Sequence, residues 1–84
     1  MRVNSDAMIG AGIHIGDVVI VDRSLEAKNG KIIIAIVDGE LLIRKLEVSN
    51  GKQRLVATKK LAALDIAEGS LKVWGVVTYV IHNV

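Results

Sequence analysis

Short runs of valine and isoleucine, each closed by glycine, aspartate or asparagine, set the pattern of this chain. Such runs mark β-strands, because branched side chains pack well on a pleated surface and the bounding residues accept turn conformations. Residues 17–22 form the first clear strand, after a loop punctuated by Gly10, Gly12 and Gly16, and 24–30 read as a connection. Residues 31–37 are apolar on both sides of the pleat, which predicts a central strand covered on two faces. Asp38-Gly39 then supplies a tight hairpin, residues 40–48 pair back, and Asn50-Gly51 turns the chain into a further strand over 52–58. The apolar spacing over 60–66 fits neither period and predicts a short helical turn or an irregular crossing. Residues 71–81 form a long last strand, with Gly75 predicting a bulge, a bend or a close backbone approach. The fold class is therefore all-β: a hairpin meander and a long C-terminal strand in a single domain over residues 1–84.

Composition narrows the picture. The 84 residues contain no cysteine, so the fold rests on packing without disulfides or thiolate metal sites. Aromatic residues are 2% of the chain against 51% hydrophobic, so the core is aliphatic. No apolar run approaches the roughly 18 residues of a membrane span. The N-terminus also lacks the basic and apolar regions of a secretory signal. These features lead us to expect a cytoplasmic protein without membrane contact. The net charge of +2 is scattered, so direct nucleic-acid binding is not expected. Proline and phenylalanine are both absent, which leads to the expectation of an engineered chain.

Four segments occur in an informative order: Asp6-Ala7-Met8-Ile9, Gly16-Asp17-Val18-Val19-Ile20-Val21-Asp22, Gly39-Glu40-Leu41-Leu42-Ile43-Arg44-Lys45-Leu46 and Val73-Trp74-Gly75-Val76-Val77. Together they resemble the LexA/UmuD-type self-cleaving serine peptidase domain (S24), most closely its processed UmuD-like branch, over nearly the whole chain. The resemblance implies a small β-clip fold and a Ser–Lys catalytic pair, with serine in a Gly-Asp-Ser-Met motif and lysine in the third segment. Registration on Asp6 and Met8 puts Ala7 at the nucleophile position, and registration on Gly39-Glu40 and Leu46 puts Arg44 at the general-base position. A methyl group has no lone pair with which to attack a carbonyl. A guanidinium group keeps its proton in proteins and cannot act as the base. The expectation is an inactive domain without cofactors.

The proline and tyrosine residues usual before the family's last strand are absent from 55–66, and the chain begins just before the nucleophile motif, so no arm is expected to be cut in cis. The resemblance further implies an SOS-response and DNA-repair setting, with an error-prone polymerase of translesion synthesis or a recombinase filament as partner. It also implies a homodimer built on the last strand, with Trp74, Val76, Thr78, Tyr79, Val80 and Ile81 as interface candidates. An alternative is a residual serine hydrolase using Ser5 or Ser24 with Lys45. Ser5, however, is displaced from position 7 by roughly 7 Å of extended chain, and Lys45 should point away from Arg44. His14 and His82 read as separate surface or loop histidines without a nearby acidic partner, so no metal site is expected.

Overall fold

The computed structural model describes residues 1–59, 61–67 and 69–82. Its strands are β1 (Val18–Asp22), β2 (Ile32–Val37), β3 (Glu40–Ser49), β4 (Lys52–Val56), β5 (Leu64–Ile66) and β6 (Val73–Ile81). They form one antiparallel sheet in the order β1-β6-β2-β3-β4-β5.

The hairpins follow from their turn residues. Asp38 and Gly39 both take positive φ, 50° and 78°, between the paired residues Val37 and Glu40. Asn50 and Gly51 do the same, at 52° and 76°, between Ser49 and Lys52. Two successive left-handed residues match the twist of the flanking strands, and Asn, Asp and Gly tolerate that conformation best.

β2 is covered on both faces, as its apolar run predicts. Ile34 joins Val3, Met8, Ile13, Val19 and Ile43 in one buried cluster, while Ile33 and Ala35 join Leu46, Leu55 and Val76 in the other. Burial of each such aliphatic side chain is worth about 1.5–3 kcal/mol. The N-terminal segment supplies three residues of the first cluster and so acts as the lid of that face.

Two expectations are corrected. Residues 61–66 do not make a helical turn: Leu64–Ile66 is a strand that pairs with Gln53–Leu55. Leu64 and Ile66 alternate inward against the second cluster while Asp65 faces out opposite Arg54, a period of two that the preceding alanines obscured. Lys60, the first residue of that expected turn, lies outside the described residues. Among the described residues the helical turn is a 3₁₀ turn, Ile9–Ala11, closed by Gly12 at φ 81°. β4 stops at Val56 and β6 starts at Val73, each two residues inside the expected bounds.

β6 lies between β1, paired along residues 76–81, and β2, paired along 73–76. Gly75 sits where the close approach was expected, because a Cβ there would come within 2.3 Å of Val21 Cγ1. The register against β2 also shifts beside it, leaving Trp74 as an extra residue. The outer edge of β1 is covered in turn. Val19 N–H donates to the Met1 carbonyl at 2.8 Å, and Val3 N–H donates to the Asp17 carbonyl at 2.8 Å.

Candidate functional site

After running beside β1, the N-terminal segment crosses the first face and reaches the end of β4. There Ala7 is fully buried, and its carbonyl accepts from Thr58 N–H at 2.8 Å and Lys59 N–H at 3.2 Å. The Thr58 hydroxyl donates to the same carbonyl at 3.3 Å and accepts from Gly10 N–H at 2.8 Å. Ala7 N–H donates to Ser5 Oγ at 3.1 Å. An exposed ion pair between Lys59 and Asp6 closes the arrangement, and the hydrogen bond from Lys59 holds the Asp6 carboxyl below its ordinary range. Position 7 is therefore fixed by bonds on both sides of its peptide.

Arg44 lies on β3 opposite Ile33, half-buried, and its Nη1 donates to the Ile43 carbonyl at 2.8 Å. Continuing the β3–β4 register by one residue past Lys45↔Val56 sets Arg44 across from Ala57, the neighbour of Thr58. Ala7 is thus attached to residues 58 and 59 by hydrogen bonds, while Arg44 precedes Lys45, whose partner Val56 ends β4. Arg44 shares the face of Ile33 and Leu46, whereas Met8, next to Ala7, packs in the cluster of the opposite face.

The serines of the alternative reading are engaged elsewhere. Ser24 Oγ donates to Asp22 Oδ1 at 2.6 Å, which lowers the Asp22 carboxyl from its ordinary value. The row Asp22↔Val76↔Ile33↔Arg44 places three strand steps, roughly 14 Å, between the end of β1 and β3. Lys45 is exposed and follows Arg44 directly, so its side chain leaves from the other face. Among the described residues no hydrogen bond joins Ser5 or Ser24 to Lys45.

The candidate interface residues divide by environment. Val76 is 3% exposed and belongs to the second core cluster. Trp74 is half-buried beneath Arg23, whose guanidinium carbon is 4.5 Å from the ring centroid and whose Nε donates to the Trp74 carbonyl at 3.0 Å. Val80 packs against the first cluster. Thr78, Tyr79 and Ile81 are exposed, Tyr79 by 72% and Ile81 by 55%, and Ile20 lies directly opposite Tyr79 with 44% exposure. Beyond Val76 the β2 side of β6 has no strand partner among the described residues, and a groove of about 490 Å³ runs there between residues 76–79 and Leu25, Glu26, Lys28 and Lys31.

Two features were missed by reading the sequence. Thr58 had no visible role, because nothing local ties it to a residue 51 positions away. The histidines expected to stand apart are neighbours: their ring centroids are 5.9 Å apart, and both face the Asp17 carboxylate. The only local signal was the spacing of His14 and Asp17. No described helix is long and apolar enough to cross a membrane.

The comparisons agree with this architecture. The family description "Peptidase S24-like" matches residues 1–78. The chain is 48% identical over 56 residues to LexA repressor 1 of Xanthomonas campestris, covering 67% of this chain and 28% of that protein. It is 33% identical over 81 residues to Protein MucA of Salmonella typhimurium, covering 94% of this chain and 56% of that protein. It is 39% identical over 61 residues to the LexA repressor of Pelotomaculum thermopropionicum, covering 73% of this chain and 30% of that protein. The chain thus spans between about a quarter and just over half of the length of these relatives. With a match over nearly its whole length and an all-β sheet, the chain belongs to the Peptidase S24-like family.

Proposed function

We propose that this chain is a member of the family that does not carry out Ser–Lys peptide cleavage and that works as a self-associating, partner-binding module. The observation that carries the reading is the seating of Ala7, which is fully buried with its carbonyl clamped by residues 58 and 59. A nucleophile at this position would be rigidly held, yet the side chain present is a methyl group and offers no electron pair. The family's base position carries a guanidinium, which retains its proton and turns its Nη1 to a backbone carbonyl. Neither half of the chemistry has a donor or an acceptor of the required kind.

Self-association is supported by the exposed row of Ile20, Tyr79 and Ile81 and by the unpaired side of β6 beyond Val76. Unpaired strand edges beside apolar side chains invite pairing with another chain. The partner proposed on the resemblance to LexA/UmuD-type domains is an assembly of the SOS response, with an error-prone DNA polymerase or a recombinase filament as its other component.

The test combines two measurements on the unaltered chain. A serine-reactive fluorophosphonate should leave its mass unchanged, and sedimentation should give a particle of twice the 9.0 kDa chain mass. Stoichiometric labelling would refute the inactive reading, and a monomer at high micromolar concentration would refute self-association.

A further inference from the structure

Outside the family site, metal-ligand chemistry converges at one end of the sheet. Asp17 directly precedes β1 and His82 directly follows β6, so the register Val18↔Ile81, continued by one residue, sets them face to face. His14 reaches the same place through a tight turn in which its N–H donates to Asp17 Oδ2 at 2.9 Å and Asp17 N–H donates to its carbonyl at 3.0 Å. His82 Nδ1 lies 2.9 Å and His14 Nδ1 3.7 Å from Asp17 Oδ2. The three residues each offer a ligand atom within 4.8 Å of the others.

We propose that His14, Asp17 and His82 form a binding site for a late first-row divalent cation of the zinc class. Two ligands on tetrahedral zinc, with bonds of about 2.0–2.1 Å, stand roughly 3.3–3.4 Å apart. The two His–Asp separations of 2.9 and 3.7 Å bracket that value, and all three ligand atoms lie within 4.8 Å of one another, so side-chain rotation without a change of backbone would admit an ion. Two imidazoles with one carboxylate select such a cation over magnesium or calcium, which take all-oxygen sites. Each neutral imidazole ligates through Nδ1 when its single proton sits on Nε2.

Burial divides the roles. The Asp17 side chain is 4% exposed and fixed by backbone, whereas the His14 and His82 side chains are 54% and 61% exposed. The ion would therefore enter from the histidine side and leave its remaining coordination position to solvent. Hydrogen bonding within the turn accounts for His14 N–H on Asp17, but it does not require both imidazole Nδ1 atoms to approach one carboxylate oxygen. A bound ion would tie the 14–17 turn to the end of β6.

Zinc titration of the full chain, followed by calorimetry and amide NMR, tests the site. The expected result is one ion per chain, with shifts centred on residues 14, 17 and 82, and no such shifts with magnesium or calcium. Cobalt should give visible bands of a nitrogen- and oxygen-ligated ion. Zinc at 100 times its Kd should raise Tm by roughly 10 °C or more. His14→Gln and His82→Gln alter exposed side chains and should keep the amide dispersion of the fold. Each should weaken zinc binding by at least about 10-fold, and the double variant should abolish it. An affinity unchanged in the double variant, or no shift at these residues, would overturn the proposal.

Discussion

Thr58 holds Ala7 by two groups at once: its amide N–H lies 2.8 Å and its hydroxyl 3.3 Å from the Ala7 carbonyl oxygen. The same hydroxyl accepts from Gly10 N–H at 2.8 Å, so one side chain fixes the residues on both sides of Met8. The loop that carries Ala7 is therefore positioned by the end of β4.

Replacement of Thr58 by valine keeps the shape and removes the hydroxyl. The expected loss is about 1 kcal/mol, because the Gly10 amide is exposed and water can replace its partner. Thr58→Ser should retain most of that stability. Urea unfolding of the two variants checks the difference. Gly10→Ala should be worse than either, since its Cβ would lie 2.9 Å from Thr58 Cβ.

Gly75→Ala tests the crossing of β1 and β6. The added methyl meets Val21 Cγ1 at 2.3 Å, and overpacking of this kind costs typically about 1–3 kcal/mol. Val21→Ala removes the opposing atom, so the double variant should be more stable than the sum of the single losses predicts. Additive losses in a thermal or urea melt would contradict the contact.

The Asp6–Lys59 ion pair has a defined pH signature. The hydrogen bond from Lys59 lowers the Asp6 carboxyl below its ordinary value, so folding favours the ionised form. The associated stability is present above the ordinary carboxylate range and is lost as pH falls through the lowered folded value. Carbon-detected NMR titration should find Asp6 returning towards 3.8 in Lys59→Met. Because both groups are exposed, the change in overall stability should be small.

The β6 surface predicts a concentration-dependent assembly. Tyr79→Lys with Ile81→Lys should shift sedimentation towards the 9.0 kDa monomer without changing the circular dichroism of the sheet, because both side chains are largely exposed. Val76→Lys should unfold the protein instead, since Val76 is 3% exposed in the core.

Local features were readable before any coordinates. Asp38-Gly39 and Asn50-Gly51 announce their hairpins, and the two-sided apolar run of β2 announces a central strand. The insertion of β6 between β1 and β2 was not readable, because that pairing joins residues more than 35 positions apart and leaves no periodic mark. The same reason hid the Thr58 clamp and the meeting of His14 with His82. The three-residue β5 was missed because a single apolar alternation is too short to stand out among alanines. Ala7 and Arg44 could be singled out only through motif order, since neither residue type signals chemistry by itself.

The most direct measurement is labelling by a serine-reactive fluorophosphonate, read by intact and peptide mass spectrometry, on the unaltered chain and on the Ala7→Ser/Arg44→Lys double variant. The account predicts no adduct on the unaltered chain and an adduct at residue 7 once hydroxyl and amine are both supplied. A stoichiometric adduct at Ser5 or Ser24 of the unaltered chain would contradict it.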